Sequence, residues 1–534
     1  MKFWTIQLLL LVGSSLFVAK RLLRHLHYMQ LEEYMPRRFL SWSWQKKAFD
    51  RRGSYVAIFV SIALFLSDFS MLLTLLGTCV LGSIAFFEKD PRKNAKVALK
   101  ITARAKRIYS VACILLAVLQ LGFFAIFSEN LPFLWASQII LFQSIPFSLV
   151  FACMLLEKNE NLRQQNFMRE AKRQLEEVNP FIIGVTGSYG KTSTKEALGK
   201  ILQATRGPTF WPGKSINTLM GITREVRTHL KQGIQYAVIE MGAYGSGSIQ
   251  RLCTLTPPQA AIITGIGLAH LERFGTEESI FLGKAELAKA VPPEGILVCN
   301  GDNPGARQIA KENPKKQLYL YGLNPHNTGL DATISTMEVT LSGTRFTLQW
   351  RGKTYPAFTP LLGKAALSNV LGAFTMACAL GSDPEYVLGV IRNLEPVDNR
   401  LELQQEEGIT YLKDAYNSNP YGFTSALEVL AALPVKRRIL VTPGMIELGS
   451  QQEFQNHSIG KLAGQICDMA IIVGETNRKA LETGILSGGI EAHRLICCSS
   501  REEAFALLKK LVQEEDGVLI ENDLTDLYER PDTF

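Results

Sequence analysis

The chain has 534 residues, long enough for three or four domains, and 47% of them are hydrophobic, with the excess placed before residue 157. The formal net charge of +8 comes from basic segments that lie between apolar blocks, which argues against nucleic-acid binding. The nine cysteines include no Cys-x-x-Cys pair, a usage typical of small buried thiols in a reducing compartment.

Four apolar blocks in the first 156 residues predict an α-helical transmembrane region. The blocks are Phe3–Ala19, Tyr55–Phe87, Ile108–Ser128 and Pro132–Leu156. A bilayer span needs about 20 apolar residues, so the second block, with 33, is too long for one straight span and short for two. Ser67 and Asp68, near its middle, are placed to form a tight turn.

Basic loops set the predicted topology. Segments 20–53 and 88–107 are both rich in Lys and Arg, so both should lie in the cytoplasm. They share a side only if the second block crosses twice or dips in and returns, and the third and fourth blocks then form a hairpin. We therefore predict about five spans in the inner or plasma membrane, with the chain after Glu157 in the cytoplasm. A cleaved signal peptide is the alternative for the first block, although no clear small-x-small site precedes Lys20.

The remaining chain has a different pattern. Residues 157–179 are charged, rich in Gln and free of Gly and Pro, and they predict a linker helix. From residue 181 onward apolar strands alternate with helical stretches, which is typical of an α/β fold with a parallel sheet. Alternation at 337–350 predicts a β insertion. We predict a phosphate-loop ATPase domain at 180–395 and a second, Rossmann-like α/β domain at 396–534.

The segment Gly184–Thr194 has the pattern of a phosphate-binding loop between a buried strand and a helix. Its glycines let the backbone approach phosphate oxygens, and N–H groups at the helix start face the anion. An ordinary Gly-rich turn is the alternative, but Gly-Lys-Thr at a strand-to-helix junction combines motif and context. The predicted ATP-binding residues are Gly187, Ser188, Tyr189, Gly190, Lys191, Thr192 and Ser193, with Lys191 reaching the β/γ-phosphates and Thr192 holding Mg²⁺.

Three further residues are candidates for chemistry. Glu240 ends an apolar strand, a position that suits a second Mg²⁺ ligand, although a solvent-facing glutamate is the plain alternative. His270 follows the next strand, at the sheet edge where open α/β folds bind ligands, although a structural histidine is the commoner case. Lys284 lies on the following helical stretch and, taken alone, would be an ordinary surface lysine.

Six segments occur in one order and together resemble the Mur ligase family. They are Thr186-Gly-Ser-Tyr-Gly-Lys-Thr-Ser-Thr-Lys-Glu196, Glu240-Met-Gly-Ala243, Thr264-Gly-Ile-Gly-Leu-Ala-His-Leu-Glu-Arg-Phe-Gly275, Asn300-Gly-Asp-Asn303, Asp414-Ala-Tyr-Asn-Ser-Asn-Pro420 and Met445-Ile-Glu-Leu-Gly449. The resemblance covers about residues 180–534. It is strongest to the members that add D-alanyl-D-alanine in peptidoglycan synthesis, and it implies Mur-type central and C-terminal domains.

The resemblance implies an ATP-dependent, ADP-forming amide ligase. A substrate carboxylate would attack the γ-phosphate to give an acyl phosphate, and an amine, either an amino acid or a dipeptide, would then displace phosphate. His270 would bind a second Mg²⁺, and Lys284 would be carbamylated and so become an anionic metal ligand. The implied metal set is Thr192, Glu240, His270 and Lys284, and the implied catalytic set is Lys191, His270 and Lys284. Asn303 would contact adenine, Asn369 the nucleotide, Arg400 and Asp414 phosphate and ribose, and Asn417 and Asn419 would line the same face.

Departures from the family bear on the substrates. Ala365 and Ala366 replace a His and an Asn that contact the nucleotide, and Glu521–Leu524 replaces a Lys-Gly-Ser-Arg segment that helps to choose the amine. Membrane spans also stand in place of the domain that holds the UDP-sugar. We therefore expect that the carboxylate acceptor is not a soluble UDP-muramoyl peptide held in the usual way. It is instead a lipid-linked molecule presented at the inner leaflet, or a growing polymer, as in poly-γ-glutamate synthases. A partner protein that supplies the amine also stays open.

Two readings from other classes compete with a ligase. An inactive nucleotide-binding membrane scaffold would fit Ala365 and Ala366, but Lys191, Glu240, His270 and Lys284 are all retained. A transport ATPase would fit the membrane spans, but the chain lacks an evident Leu-Ser-Gly-Gly-Gln element.

Overall fold

The computed structural model describes residues 2–67, 69–93, 95, 97–324, 326–415 and 418–523, and of residues 2–6 the backbone alone. The described chain divides into two units, one up to Arg163 and one from Gln164 to Asp523. Asp68, Asn417 and Leu524, which carried sequence predictions, lie outside the described residues.

The first unit is helical throughout. Its helices are α1 (Lys2–Leu31), α2 (Pro36–Gln45), α3 (Arg52–Leu66), α4 (Ser70–Phe87), α5 (Ala103–Phe127), α6 (Leu131–Gln143) and α7 (Ile145–Val178), of which α7 continues into the second unit. The second apolar block is split as predicted, because α3 and α4 are separate helices that pack together, with Val60 against Gly77. The basic segment 20–53 is largely helical, since α1 and α2 occupy most of it, and its cytoplasmic placement stays a prediction. Leu22, Leu26 and Met29 recur among its basic residues at helical spacing and are buried.

Length and composition give two or three candidate spans among the described residues. Among the described residues, α4 and α5 are long and apolar enough to cross a membrane. Helices α6 and α7 would add a third span if they act as one, although they are bent by 53° at the break. Pro146 lies just after this break and disfavours helical backbone at the residue before it, which explains the bend. The count of about five spans stays a prediction.

The second unit begins with an α/β region built on one sheet. Its strands are β1 (Phe181–Thr186), β2 (Thr209–Phe210), β3 (Tyr236–Glu240), β4 (Ala260–Ile263), β5 (Ile296–Asn300), β6 (Gln317–Gly322), β7 (Ala332–Thr340), β8 (Gly343–Trp350) and β9 (Lys353–Thr359). Over the described ranges their order is β2-β3-β1-β4-β5-β6-β7-β8-β9, parallel as far as β7 and antiparallel from β7 to β9. The predicted β insertion is therefore confirmed, and it extends the same sheet.

Helices cover both faces of this sheet. They are α8 (Lys191–Thr205), α9 (Leu219–His229), α10 (Ser248–Leu255), α11 (Leu271–Phe274), α12 (Glu277–Ala290), α13 (Pro304–Lys311), α14 (Gly363–Ala379) and α15 (Pro384–Ile391). Two apolar cores follow, one containing Ile239 and Leu287 and the other containing Val238 and Leu198. Since consecutive residues of β3 point into different cores, the sheet is buried on both sides, which explains its nearly continuous apolar strands.

A second sheet follows residue 400. Its strands are β10 (Glu402–Glu406), β11 (Ile409–Asp414), β12 (Arg438–Thr442), β13 (Met469–Val473), β14 (Leu495–Cys498) and β15 (Gly517–Glu521), in the order β10-β11-β15-β12-β13-β14 within the described chain. Only the β10–β11 pair is antiparallel among them. Its helices are α16 (Pro420–Ala432), α17 (Gln452–Ile466), α18 (Arg478–Gly488) and α19 (Arg501–Leu511). The predicted parallel α/β pattern is confirmed here as well.

Helices α17 and α18 approach each other closely because glycines face each other across the contact. A Cβ added at Gly460 would lie 2.9 Å from the Leu481 carbonyl oxygen, and one at Gly484 would meet the backbone of His457. Backbone atoms cannot move aside as a flexible side chain can, so only glycine fits these positions.

We predict that Gly484→Ala destabilises the protein, whereas Gly389→Ala does not. An added methyl at Gly484 should cost about 1–3 kcal/mol by overpacking. Gly389, in helix α15, has open space around its Cβ position, so alanine there should be neutral or stabilising by up to about 1 kcal/mol. Thermal unfolding of both variants in detergent measures the difference, and equal shifts would contradict the packing argument.

Candidate active site

The predicted phosphate loop lies between β1 and α8, as the motif requires. Gly190 has a left-handed φ of +77°, and an added Cβ there would run into the Asn369 side-chain oxygen. The Ser188 N–H donates to the Gly265 carbonyl at 2.7 Å, and the Ser188 hydroxyl contacts Gly267 at 2.9 Å. These bonds hold the loop against the chain that follows β4, while the first N–H groups of α8 keep the orientation that attracts an anion.

The lysine and threonine of the motif come next. Lys191 is half-buried and its ammonium lies 3.4 Å from the Ser188 carbonyl oxygen. Burial lowers the pKa of Lys191, and the nearby Glu240 partly offsets this. Thr192 is buried, with its hydroxyl 3.4 Å from that of Ser215.

Glu240 provides a test of the predicted metal. The residue ends β3 and is 1% exposed. Its Oε1 accepts a hydrogen bond of 2.9 Å from the Asn217 amide, while Oε2 is buried without a hydrogen-bond partner among the described residues. The Lys195 ammonium, 3.7 Å from Oε2, gives only partial compensation. A buried carboxylate oxygen left without a hydrogen bond is costly, so this oxygen fits a Mg²⁺ ligand.

His270 lies at the start of α11 with a left-handed φ of +63°. Its Nδ1 contacts the Glu447 carboxylate, which also accepts a 2.9 Å hydrogen bond from Arg273. Burial lowers the pKa of His270, although Glu447 opposes the shift. Burial alone would raise the pKa of Glu447, but hydrogen bonds and charge from His270 and Arg273 bring it down to about 2.

Lys284 is not the surface lysine that its sequence context suggested. The residue lies on α12, is 1% exposed and has no ion pair among the described residues. Burial lowers its pKa well below the ordinary value, repulsion from Lys191 adds to this, and Glu240 opposes it. The lowered pKa favours the unprotonated amine, which is the nucleophilic form, and Lys284 lies near enough to Lys191 and Glu240 for their charges to act on it.

Three of the predicted nucleotide contacts share one cavity. Ser193, Asn369 and Arg400 line a space of about 260 Å³ together with Ala366. Ala366 is one of the two alanines that replace polar family residues, so it leaves an apolar patch on this wall.

Asn303 lies elsewhere and is fully hydrogen-bonded. Its Oδ1 accepts 2.9 Å bonds from the N–H groups of Ala306 and Ile266. Its amide donates to the Ile266 carbonyl at 2.9 Å and to the Tyr189 hydroxyl at 3.1 Å. Tyr189 stacks on Tyr421 with ring centroids 4.7 Å apart. Contact with adenine therefore stays a prediction for Asn303, whose present role is to cap α13 and hold Tyr189.

Asp414 ends β11 beside Glu521 of β15, in register. Burial raises the pKa of Asp414 to about 6, opposed by Arg400, and burial together with Asp414 raises the pKa of Glu521 well above its usual range. The Ser418 hydroxyl donates to Glu521 at 2.6 Å. Of the two asparagines predicted on this face, Asn419 caps α16 through the Gly422 N–H, 3.1 Å away.

The sequence did not predict which residues contact the predicted metal ligands. Ser215 and Asn217 lie before α9 in a segment without a motif, and only the structure brings them to Thr192 and Glu240. Glu447 belongs to a quoted motif, yet its contact with His270 joins residues 177 positions apart and has no local signal.

We predict that Lys284→Met stabilises the protein near neutral pH. The folded pKa of Lys284 lies below 10.5, the ordinary value that the residue has in the unfolded chain. Between these two pKa values the unfolded state binds more protons than the native state, so the free energy of unfolding rises with pH. The variant loses this dependence, so its advantage in free energy of unfolding should shrink toward alkaline pH, by at most about 1.4 kcal/mol per pH unit.

Thermal unfolding in detergent and CO₂-free buffer, followed from neutral to alkaline pH, measures this effect. Lys289→Met, at an exposed position of the same helix, is the matched control. A difference from the native protein that does not change with pH would contradict the prediction.

Two family models match the second unit: the Mur ligase middle domain at residues 185–377 and the Mur ligase, glutamate ligase domain at residues 399–521. The UDP-N-acetylmuramoyl-tripeptide–D-alanyl-D-alanine ligase of Escherichia coli (strain K12) is 31% identical over 347 residues, covering 64% of this chain and 73% of that protein. The enzyme of the same name from Bacillus subtilis (strain 168) is 31% identical over 285 residues, covering 53% and 60%.

Comparison with solved structures gives the same family. MurF from Acinetobacter baumannii aligns with a TM-score of 0.60 at 25% identity, covering 67% of this chain and 77% of that one. MurF from Thermotoga maritima in complex with ADP shares the fold, with a TM-score of 0.59 at 23% identity. The chain therefore belongs to the Mur ligase family of ATP-dependent peptide ligases, and within that family it is similar to MurF.

Proposed function

We propose that this protein is a membrane-anchored Mur ligase that joins an amino acid or dipeptide to a carboxylate acceptor in peptidoglycan precursor synthesis. The observation that carries the proposal is the convergence of Lys191, Glu240, His270 and Lys284. The charge of Lys191 lowers the pKa of both His270 and Lys284, and the charge of Glu240 raises the pKa of both Lys191 and Lys284. These residues come from separate elements, and their electrostatic influence on one another supports a shared site beside the phosphate loop.

Membership of the Mur ligase family implies the chemistry, and the arrangement of these residues is compatible with it. An oxygen of the acceptor carboxylate attacks the γ-phosphorus of ATP, the bond to ADP breaks, and an acyl phosphate forms. The neutral amine then attacks the acyl carbon, phosphate leaves from the tetrahedral intermediate, and the nitrogen loses a proton. Lys191 and the N–H groups at the start of α8 stabilise charge on the transferring phosphoryl group. The domain that contains the second sheet supplies Arg400 and Asp414 to the nucleotide and helps to exclude water, which would hydrolyse the acyl phosphate.

Thr192, Glu240, His270 and Lys284 would hold Mg²⁺, which when bound neutralises phosphate charge and orients the acceptor carboxylate. Two ions fit this number of ligands. The amine of Lys284 suits carbamylation because it is buried and its pKa is lowered. Its nitrogen would add to CO₂ and release one proton, giving a carbamate whose oxygens are ligands that Mg²⁺ prefers.

The acceptor is the finer part of the proposal. The similar ligases of Escherichia coli and Bacillus subtilis are named for a UDP-N-acetylmuramoyl-tripeptide and D-alanyl-D-alanine, and we propose related substrates here. A lipid-linked acceptor is the second candidate, favoured by α4 and α5, which are long and apolar enough to hold the enzyme at a bilayer. The second unit would then lie on the cytoplasmic side of a multi-pass inner or plasma membrane protein. A partner protein that supplies the amine fits either candidate.

The experiment that tests this function compares acceptors with the full chain in nanodiscs, ATP and Mg²⁺. One reaction contains UDP-muramoyl-tripeptide and D-alanyl-D-alanine, and the other contains a bacterial lipid extract with a mixture of amino acids. We expect acceptor-dependent release of phosphate and a new amide detected by mass spectrometry, and the reaction that yields it identifies the acceptor. Phosphate release at the same rate with and without either acceptor would favour a transport ATPase. No phosphate release in any reaction would favour an inactive scaffold.

We predict that Lys284→Ala abolishes ligation and that formate or acetate partly restores it. A small carboxylate can occupy the space left by the side chain and supply the oxygens of the missing carbamate. The measurement is amide formation with and without the added acid, at low and high bicarbonate, with Lys289→Ala as the surface control. Full activity of Lys284→Ala would remove this residue from the metal set.

A further inference from the structure

One carboxylate from the second sheet domain contacts a predicted metal ligand of the first. Glu447 follows β12, and its side chain is 14% exposed. One carboxylate oxygen contacts Nδ1 of His270, and the other accepts a 2.9 Å hydrogen bond from Arg273. Its backbone carbonyl also accepts from the N–H of Glu272, at 3.3 Å. A single residue thus binds both the side chains and the backbone of the turn that carries His270.

The backbone at both ends of this contact is unusual. His270 has a φ of +63° and Glu447 a φ of +62°, and neither residue is glycine. Left-handed backbone costs a residue with a side chain about 1 kcal/mol or more, and it persists where the surrounding contacts favour it. The contacts between Glu447 and the turn at His270 are ones that favour this backbone at both residues.

Further contacts connect Glu447 to Glu240, another predicted metal ligand. The Arg273 guanidinium lies over the Tyr244 ring, 5.2 Å from its centroid. The Tyr244 hydroxyl donates to Asn217 at 3.0 Å, and the Asn217 amide donates to Glu240 at 2.9 Å. Glu447 and Glu240 are therefore the two ends of one connected series of polar and aromatic contacts.

This series of contacts leaves one atom of His270 and one atom of Glu240 available to bind a metal. Nδ1 of His270 is taken by Glu447, so Nε2 is the nitrogen left with a lone pair for a metal. Oε1 of Glu240 is taken by Asn217, while Oε2 has no hydrogen-bond partner in the described chain. A carboxylate behind a ligating histidine fixes the tautomer and the orientation of the ring.

We propose that Glu447 is a positioning residue for the metal site: it orients His270 and thereby makes docking of the second sheet domain a condition for complete metal binding. The inference rests on the proposed metal role of His270. It assigns Glu447 no contact with substrate or nucleotide.

The test measures Mn²⁺ binding rather than turnover, by the loss of the free-ion electron paramagnetic resonance signal, with the full chain in detergent. Glu447→Ala should weaken Mn²⁺ binding by about 10–100-fold, the usual effect of removing the carboxylate behind a ligand. Glu447→Gln keeps an oxygen that can accept from Nδ1, so it should retain part of the affinity. Glu453→Ala, at an exposed position of the same domain, is the control and should bind Mn²⁺ like the native protein.

A double-mutant comparison separates positioning from general loss of structure. In the His270→Ala background Glu447→Ala should have no further effect, because the ring it orients is absent. Thermal unfolding checks that each variant is folded. A folded Glu447→Ala protein with native Mn²⁺ affinity overturns the proposal, as does an equal loss in the His270→Ala background. If His270→Ala binds Mn²⁺ as tightly as the native protein, both this proposal and the metal role of His270 are overturned. If Glu447→Ala binds Mn²⁺ as tightly as the native protein but His270→Ala does not, only this proposal is overturned and His270 keeps its metal role.

Discussion

Buried charge at one edge of the first sheet is the constraint on which the active site depends. Among the described residues, Glu240 is buried with an oxygen that has no hydrogen bond, and Lys284 is buried with no ion pair. Neither arrangement favours folding, since each group would be better solvated in water. Both make sense as an incomplete site, because a cation at Glu240 and a carbamate on Lys284 would complete it. Under the proposed metal role, the protein gives up stability here for binding, as functional sites commonly do.

The second sheet domain contributes to the same edge from outside the first sheet. Glu447 reaches the turn after β4, and Arg400 lines the cavity that also contains Asn369. In a reaction that forms an acyl phosphate this division has a clear advantage. Groups that complete the site only when the domain is docked also exclude water at the moment when water would be harmful.

Prediction from the sequence worked where the signal is local. The phosphate loop, the strands with continuous apolar runs and the β insertion all have short-range patterns, and the structure contains them. At 20–53 the basic residues indicated only membrane topology, and the helical spacing of the buried Leu22 and Leu26 was a local signal that was not used. Lys284 was assigned by family resemblance alone, because burial of a lysine depends on α12 packing against the sheet. The partners of Glu240 and His270 could not be predicted, since Asn217 and Glu447 reach them only through the tertiary fold.

The edges of the first sheet have a consequence for the behaviour of this large domain. A sheet that exposes a long, regular outer strand invites pairing with a neighbouring chain. Here one outer strand, β2, has only two residues, and the other, β9, contains Pro356, which has no N–H to donate. The sheet can therefore be nine strands wide over its described residues without offering a continuous template for self-association.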